Sequence, residues 1–190
     1  NIVAPSSKKY DLRQKKNVEK LLLKNDIVIH LAANVGGLGK GLNKSADYFY
    51  DNAMMSLNII KTGNDVGIKK FIGVGSILQY PDLANIPFNE KNVFDGFPSG
   101  VTVPYALGKN VMLYASNFFE SQFNFKNVNL ILPNLYGPGD DFNPSSSHVV
   151  ASLIYKINKA NLNNEKSIKV WGSGNISREF LFVKDAAEAI

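Results

Sequence analysis

The chain has 190 residues, 45% of them apolar and 19% charged, with a formal net charge of +5 and no cysteine. That balance excludes a disordered tail, the lack of any apolar run near ~18 residues excludes a membrane span, and the missing cysteines exclude disulfides, thiolate metal sites and a cysteine nucleophile. The positive excess is scattered lysine with only Arg13 and Arg178 as arginines, so no arginine-rich nucleic-acid surface is expected; the opening nine residues lack a signal-peptide layout, which fits a cytoplasmic protein.

In chain order, Lys20-Leu-Leu-Leu23 finishes a helix, and residues 26–31 form a β-branched run expected as a strand. Residues 45–66 bring Phe49, Ala53, Leu57 and Ile60 near one helical face. A strand is expected at 70–75, a helix at 105–123, and a strand at 127–132 stopped by Pro133. Such alternation implies βαβ units: an α/β fold with a doubly wound parallel sheet buried on both faces, Rossmann-like in class. Beyond Gly137 come a polar loop at 140–147, a helix from about 148 to 160, a short strand at 169–171, a glycine-rich turn and an alanine-rich helical stretch from 183. A domain boundary is expected after Tyr136, dividing 1–136 from 137–190. Nucleotide-binding folds of this kind normally open with a strand and a glycine fingerprint. Gly36-Gly-Leu-Gly-Lys-Gly41 does not supply it, because Leu42 stands where the third glycine is needed, and Asn34 defeats a P-loop reading. That run is expected as a loop, and both ends of the chain read as interior to a longer fold.

Two Tyr-x-x-x-Lys pairs occur, Tyr105 with Lys109 and Tyr155 with Lys159. At this spacing both side chains share a helical face. An ammonium beside a phenol favours phenolate and draws the tyrosine toward neutrality, ready to exchange a proton with a carbonyl or alkoxide. Ser76 follows the strand that precedes Tyr105, at the sheet end where parallel folds present their sites. Nothing comparable precedes Tyr155, which is expected on a solvated face. His30, within an apolar strand, is expected as a hydrogen-bonded core residue.

The ordered set Leu31-Ala-Ala33, Gly75-Ser76, Tyr105-x-x-x-Lys109, Pro133-Asn-Leu-Tyr-Gly-Pro138 and Trp171-Gly-Ser-Gly174 with Arg178-Glu-Phe180 resembles the extended short-chain dehydrogenase/reductase superfamily. Within it the chain resembles the GDP-L-fucose synthase family, through Val35-Gly-Gly37, Tyr50-x-Asn52, Tyr80-Pro81, Asp141-Phe-Asn-Pro-Ser-Ser-Ser-His148 and Val170-Trp-Gly-Ser-Gly174. The resemblance implies a dinucleotide-binding domain lacking its glycine motif, followed by the start of a nucleotide-sugar domain. It implies catalytic roles for Ser76, Tyr105, Lys109 and His148. It implies cofactor contacts from Asp11, Leu12, Leu31, Ala32, Ala33, Tyr105, Lys109, Pro133, Asn134, Leu135 and His148. It implies GDP-sugar contacts from Ser76, Asn134, Val149, Lys156, Trp171 and Arg178, and no metal. NADP(H) is the implied cofactor ahead of NAD. The implied assembly is a homodimer packing helices 45–66 and 105–123 into a four-helix bundle, with no nucleic-acid or membrane partner.

One departure bears on the reaction. Where the family has a cysteine base for C3/C5 epimerisation, this sequence has Leu78, which cannot take a proton; His148 matches the acid partner. The expectation is therefore an NADP(H)-dependent reductase of a GDP-4-keto-6-deoxy sugar, hexose or heptose, at C4, without its own epimerase step. The alternatives are a bifunctional GDP-L-fucose synthase using another base, a different nucleotide-sugar epimerase or dehydratase, and a catalytically dead cofactor-sensing protein. For Trp171 a core position is the competing reading.

Overall fold

Small and branched residues at helical spacing build the long elements. In α2 (Ser45–Val66) the residues Tyr48, Asn52, Ser56, Ile59, Ile60 and Gly63 form one buried face. Gly67 ends the helix in the left-handed conformation (φ 75°), a position that favours glycine, and its N–H and that of Ile68 return to the Gly63 carbonyl. The helix α3 (Val103–Phe123) opens with a proline in its first turn and stops at Asn124, again left-handed (φ 58°). The computed structural model describes residues 2–24, 26–36 and 44–190. The glycine run expected as a loop lies, apart from Gly36, outside the described residues.

The chain divides into two compact units, residues up to Val35 with Lys44–Ile131 in the first and Leu132–Ile190 in the second. The first holds α1 (Lys15–Leu21), β1 (Ile27–His30), α2, β2 (Lys70–Ser76), 3₁₀ turns at Ile77–Gln79 and Glu90–Phe94, α3 and β3 (Asn127–Leu132). Its sheet has the order β1-β2-β3. β1 pairs parallel with β2, Val28 opposite Phe71 and His30 opposite Gly73. The core joins Val18 of α1, Ile59 and Ile60 of α2, Phe71 of β2, and Met112 and Ala115 of α3 with Phe125, and Val28 packs against it. The fold is α/β with parallel strands, as expected. One expectation is corrected: β1 is not buried on both faces among the described residues. Val28 and His30 face the helices, whereas Ile27, Ile29 and Leu31 remain 56%, 48% and 62% exposed, because side chains two apart in a strand point to the same face.

The second unit holds β4 (Asn134–Tyr136), α4 (Val149–Leu162), β5 (Phe180–Phe182) and α5 (Val183–Ala189). The strand expected at 169–171 is absent; that stretch is irregular. Its place is taken by a short parallel pair in which Asn134, Leu135 and Tyr136 lie opposite Phe180, Leu181 and Phe182. Two apolar residues and one lysine at 169–171 offer no run long enough to be held without a partner strand.

α2 and α3 pack closely at Gly108. A Cβ there would stand 3.0 Å from the Asn52 Cβ and 3.0 Å from the Phe49 carbonyl oxygen. Gly108→Val therefore forces the helices apart, and a loss of about 1–3 kcal/mol is expected from overpacking. Chemical denaturation of wild type and variant measures it, and an unchanged midpoint contradicts this packing.

Candidate active site

The carboxyl end of β2 runs straight into a 3₁₀ turn capped by Ser76. Gln79 returns its side chain to that cap: Gln79 Oε1 accepts from the Ser76 N–H at 2.8 Å. Ser76 Oγ accepts from the Leu78 N–H at 3.3 Å, a reciprocal capping box. A hydroxyl that accepts in this way keeps its own proton free to donate. Leu78 projects outward, 40% exposed. Gln79 is 1% exposed, and its amide donates to Asn110 Oδ1 at 3.0 Å, while Asn110 Nδ2 donates to the Gln79 carbonyl at 3.3 Å.

Asn110 follows Lys109 on α3. Lys109 is 2% exposed, and its Nζ donates to the Val74 carbonyl at 2.9 Å, two residues before Ser76. Tyr105 lies one turn earlier on the same face of α3 and is half-buried. Lys109 is thus held at the strand end that carries Ser76, with Tyr105 one helical turn away. Burial lowers the Lys109 ammonium to about 8. The expectation that this ammonium draws the Tyr105 phenol toward neutrality is corrected: desolvation by burial pushes Tyr105 above the ordinary phenol value. Tyr105 is therefore a protonated phenol at neutral pH, a donor rather than an acceptor.

His30 ends β1, opposite Gly73 of β2. It is 2% exposed, bonded at 3.2 Å to Ser56 Oγ, which donates onward to the Asn52 carbonyl at 2.9 Å. Burial, with the Lys109 charge adding, lowers His30 to about 3, so it is neutral and takes the core role expected of it. After β1, Leu31 is exposed and Ala32 and Ala33 are half-buried. Asn34 is clamped by Asn52, which accepts from its N–H at 3.0 Å and donates to its carbonyl at 3.0 Å. Its side chain donates to Asp51 at 2.8 Å. Arg13 bridges Asp51 at 3.0 Å and Asp11 at 2.8 Å, and this pairing holds the Asp11 carboxyl below its usual range. Leu12 packs its side chain against the core, and its carbonyl accepts from Asn58 at 3.0 Å.

The remaining expected residues belong to the second unit. Pro133 precedes β4; Asn134 Nδ2 donates to the Glu179 carbonyl at 3.0 Å, and Leu135 is partly exposed. His148 occupies the N-cap position of α4 without a side-chain cap bond, is exposed, and is followed by half-exposed Val149. Trp171 is 89% exposed, which removes the core reading. Lys156 donates to the Lys169 carbonyl at 3.1 Å and lies 5.8 Å from the centre of the Trp171 ring. Arg178 is exposed, with one guanidinium bond, to the Ser177 carbonyl at 2.8 Å. Lys159 is exposed and Tyr155 only partly covered, as expected of an ordinary helix face. Gln79 and Asn110 escaped the sequence reading. The Ser-x-x-Gln spacing of a capping box was the available signal for Gln79; nothing local marks Asn110.

Among the described residues, no cluster of side chains fit to hold a metal ion occurs, and no helix is long and apolar enough to cross a membrane. The profile of the NAD dependent epimerase/dehydratase family matches residues 4–190. A GDP-L-fucose synthase of Azorhizobium caulinodans is 34% identical over 191 residues, covering 100% of this chain and 61% of that protein. A GDP-L-colitose synthase of Yersinia pseudotuberculosis is 30% identical, covering 99% of this chain and 62% of that one. The crystal structure of a GDP-L-fucose synthetase from Naegleria fowleri bound to NADP is similar with a TM-score of 0.88 at 32% identity, covering 98% of this chain and 62% of that chain. The chain thus spans about 61% of the length of the first of these relatives.

The neutral state of His30 predicts a pH dependence of stability. With a folded value of about 3 against 6.5 unfolded, the unfolded chain binds the extra proton between these values, so stability present above 6.5 is lost as pH falls toward 3. Urea denaturation should show the advantage of wild type over His30→Gln shrinking by about 1 kcal/mol per pH unit below about pH 6.5. A difference that stays constant contradicts a neutral buried His30.

Proposed function

The chain belongs to the NAD dependent epimerase/dehydratase family, and from that premise we propose that the protein is an NADP(H)-dependent reductase of a GDP-4-keto-6-deoxy sugar, hexose or heptose, acting at C4 without its own C3/C5 epimerase step. The observation that supports this reading is that Lys109 is bonded to the Val74 carbonyl, two residues before the capped Ser76, with Tyr105 one turn earlier on the same helix; Leu78 matches the position of the resembled family's base. In this reading residues 1–136 serve the dinucleotide and 137–190 open the nucleotide-sugar part.

The residues fit a nicotinamide dinucleotide. An ammonium carries three N–H donors, and the one bond found for Lys109, to the Val74 carbonyl, leaves donors for ribose hydroxyls. The small side chains of Ala32 and Ala33 leave backbone accessible after β1. Pro133 and Leu135 are proposed to flank the nicotinamide, with Asp11 and Leu12 toward the adenine and Asn134 and His148 completing the cofactor contacts. NADP is preferred over NAD because the similar Naegleria fowleri protein binds NADP. When bound, the reduced cofactor supplies a hydride to the C4 carbonyl carbon.

The chain's residues manage the oxygen and the proton. Ser76 holds the C4 oxygen through the hydroxyl proton that its cap leaves free. Tyr105 delivers its phenolic proton to the same oxygen as charge develops there, and solvent restores it. The ammonium of Lys109 steadies the transient phenolate, which burial otherwise disfavours. Val149, Lys156, Trp171, Arg178 and Asn134 are proposed to hold the GDP-sugar: the exposed indole offers a stacking face for the base, and the Arg178 guanidinium suits a diphosphate. The apolar residues left open on α2 and α3, among them Phe49 (43% exposed) and Phe118 (65%), support a homodimer built on these helices. A cytoplasmic location is part of the same proposal.

A bifunctional GDP-L-fucose synthase is the second reading, favoured by the 34% identity to such an enzyme and by the exposed His148. Isotope exchange separates the two. Full-length enzyme, oxidised cofactor and a GDP-4-keto-6-deoxy sugar are incubated in D₂O and followed by mass. With Leu78 in place no enzyme-dependent deuterium gain is expected, and added NADPH then yields a C4 alcohol with C3 and C5 configurations retained. Rapid uptake of deuterium at both carbons transfers the conclusion to the bifunctional reading.

A further inference from the structure

We propose that Gln79 and Asn110 form a buried amide pair that positions the Ser76 hydroxyl for the substrate carbonyl, making Gln79 a positioning residue for the reduction. The proposal rests on the reading of Ser76 given above.

A capping box satisfies backbone donors of its own turn. Here the capping side chain is 1% exposed and continues past the turn into α3. One end of the Gln79 amide takes the Ser76 N–H at 2.8 Å and the other reaches Asn110 Oδ1 at 3.0 Å. Asn110 answers to the Gln79 backbone carbonyl at 3.3 Å. The backbone of Ser76 is thereby referred to the helix that carries Tyr105 and Lys109. Lys109, one residue before Asn110, makes a second tie to Val74, so adjacent residues of α3 hold the end of β2 at Val74 and the turn after it at Gln79. Gly75 is required for this arrangement: a Cβ there would fall 2.0 Å from Gln79 Oε1.

Packing alone does not call for two amides at this place. Apolar side chains of the same shape would fill the space but would leave the Ser76 N–H and the Gln79 carbonyl without these partners. What the amides add is direction. With the Ser76 N–H drawn to Gln79, its Oγ accepts from Leu78 N–H, and the hydroxyl proton is left to point away from the turn. Removing the amide frees that rotor and the strand end, and displacements of about 1 Å in a reacting group cost on the order of a hundredfold in rate.

The test is a double-mutant cycle in the full-length enzyme with NADPH and a GDP-4-keto-6-deoxy sugar. Gln79→Met keeps length and apolar bulk and loses both amide bonds. It is expected to lower kcat about ten- to a hundredfold, with the NADPH dissociation constant changed less than about twofold. In a Ser76→Ala background the same substitution should change kcat by less than about twofold, since groups acting through one another are non-additive. Asn110→Leu, taken through the same cycle, gives a second route should Gln79→Met not fold. An equal loss in both backgrounds, or folded Gln79→Met with wild-type kcat, overturns the positioning role while leaving Ser76 in place. If Ser76→Ala itself reduces substrate at the wild-type rate, the reading of the site falls and this proposal with it.

Discussion

A single buried ammonium organises the first unit. Lys109 lies 2% exposed with its Nζ on the Val74 carbonyl at 2.9 Å. Placing a charge there is unfavourable, which is why it is lowered to about 8 from an ordinary 10.5. Between those values the unfolded chain holds the proton more tightly, so the burial weighs against folding at neutral pH and is relieved only as pH rises. The same charge, added to burial, keeps His30 neutral. That leaves the strand end with one cation, one neutral imidazole and one protonated phenol, a set suited to donating a proton rather than removing one.

The surrounding fold is arranged to bring this cation to the sheet. Gly108 lets α3 approach α2. Gly73 lets Met112 approach β2, since a Cβ there would lie 3.0 Å from Met112 Cε. Gly75 makes room for the Gln79 amide. These glycines let α3 pack closely on α2 and on β2, so that Lys109 reaches the Val74 carbonyl and Asn110 reaches Gln79 in the turn that follows. After β1, Asn52 and Asp51 of α2 clamp Asn34, and Arg13 extends that clamp to Asp11. Together these fix the segment after β1 without using any of the residues proposed for chemistry.

Much of this frame was legible because it depends on local periodicity. The helix at 45–66 and the strand at 127–132 have the bounds that the sequence pattern implies, since each carries its apolar face within its own residues and is followed directly by its stop signal, Gly67 and Pro133. What escaped depends on distant partners. β4 and β5 are three residues each and exist through mutual pairing across more than forty residues of chain, while Lys169-Val-Trp171 looks equally strand-like and finds no partner. The Tyr105 shift went wrong in sign because the spacing reveals a neighbouring ammonium but not how deeply both groups are buried. Gln79 is visible as a capping residue, yet only the packed structure reveals that its amide continues to Asn110.

The central claim is net hydride delivery to C4 with the proton supplied by this chain. Full-length enzyme should be given NADPH deuterated at the transferred position and a GDP-4-keto-6-deoxy sugar, and the product analysed by mass and NMR. The account predicts stoichiometric cofactor oxidation and one deuterium, located at C4 of the product. Product formed without cofactor consumption, as in an epimerase or dehydratase that returns its hydride, would contradict it.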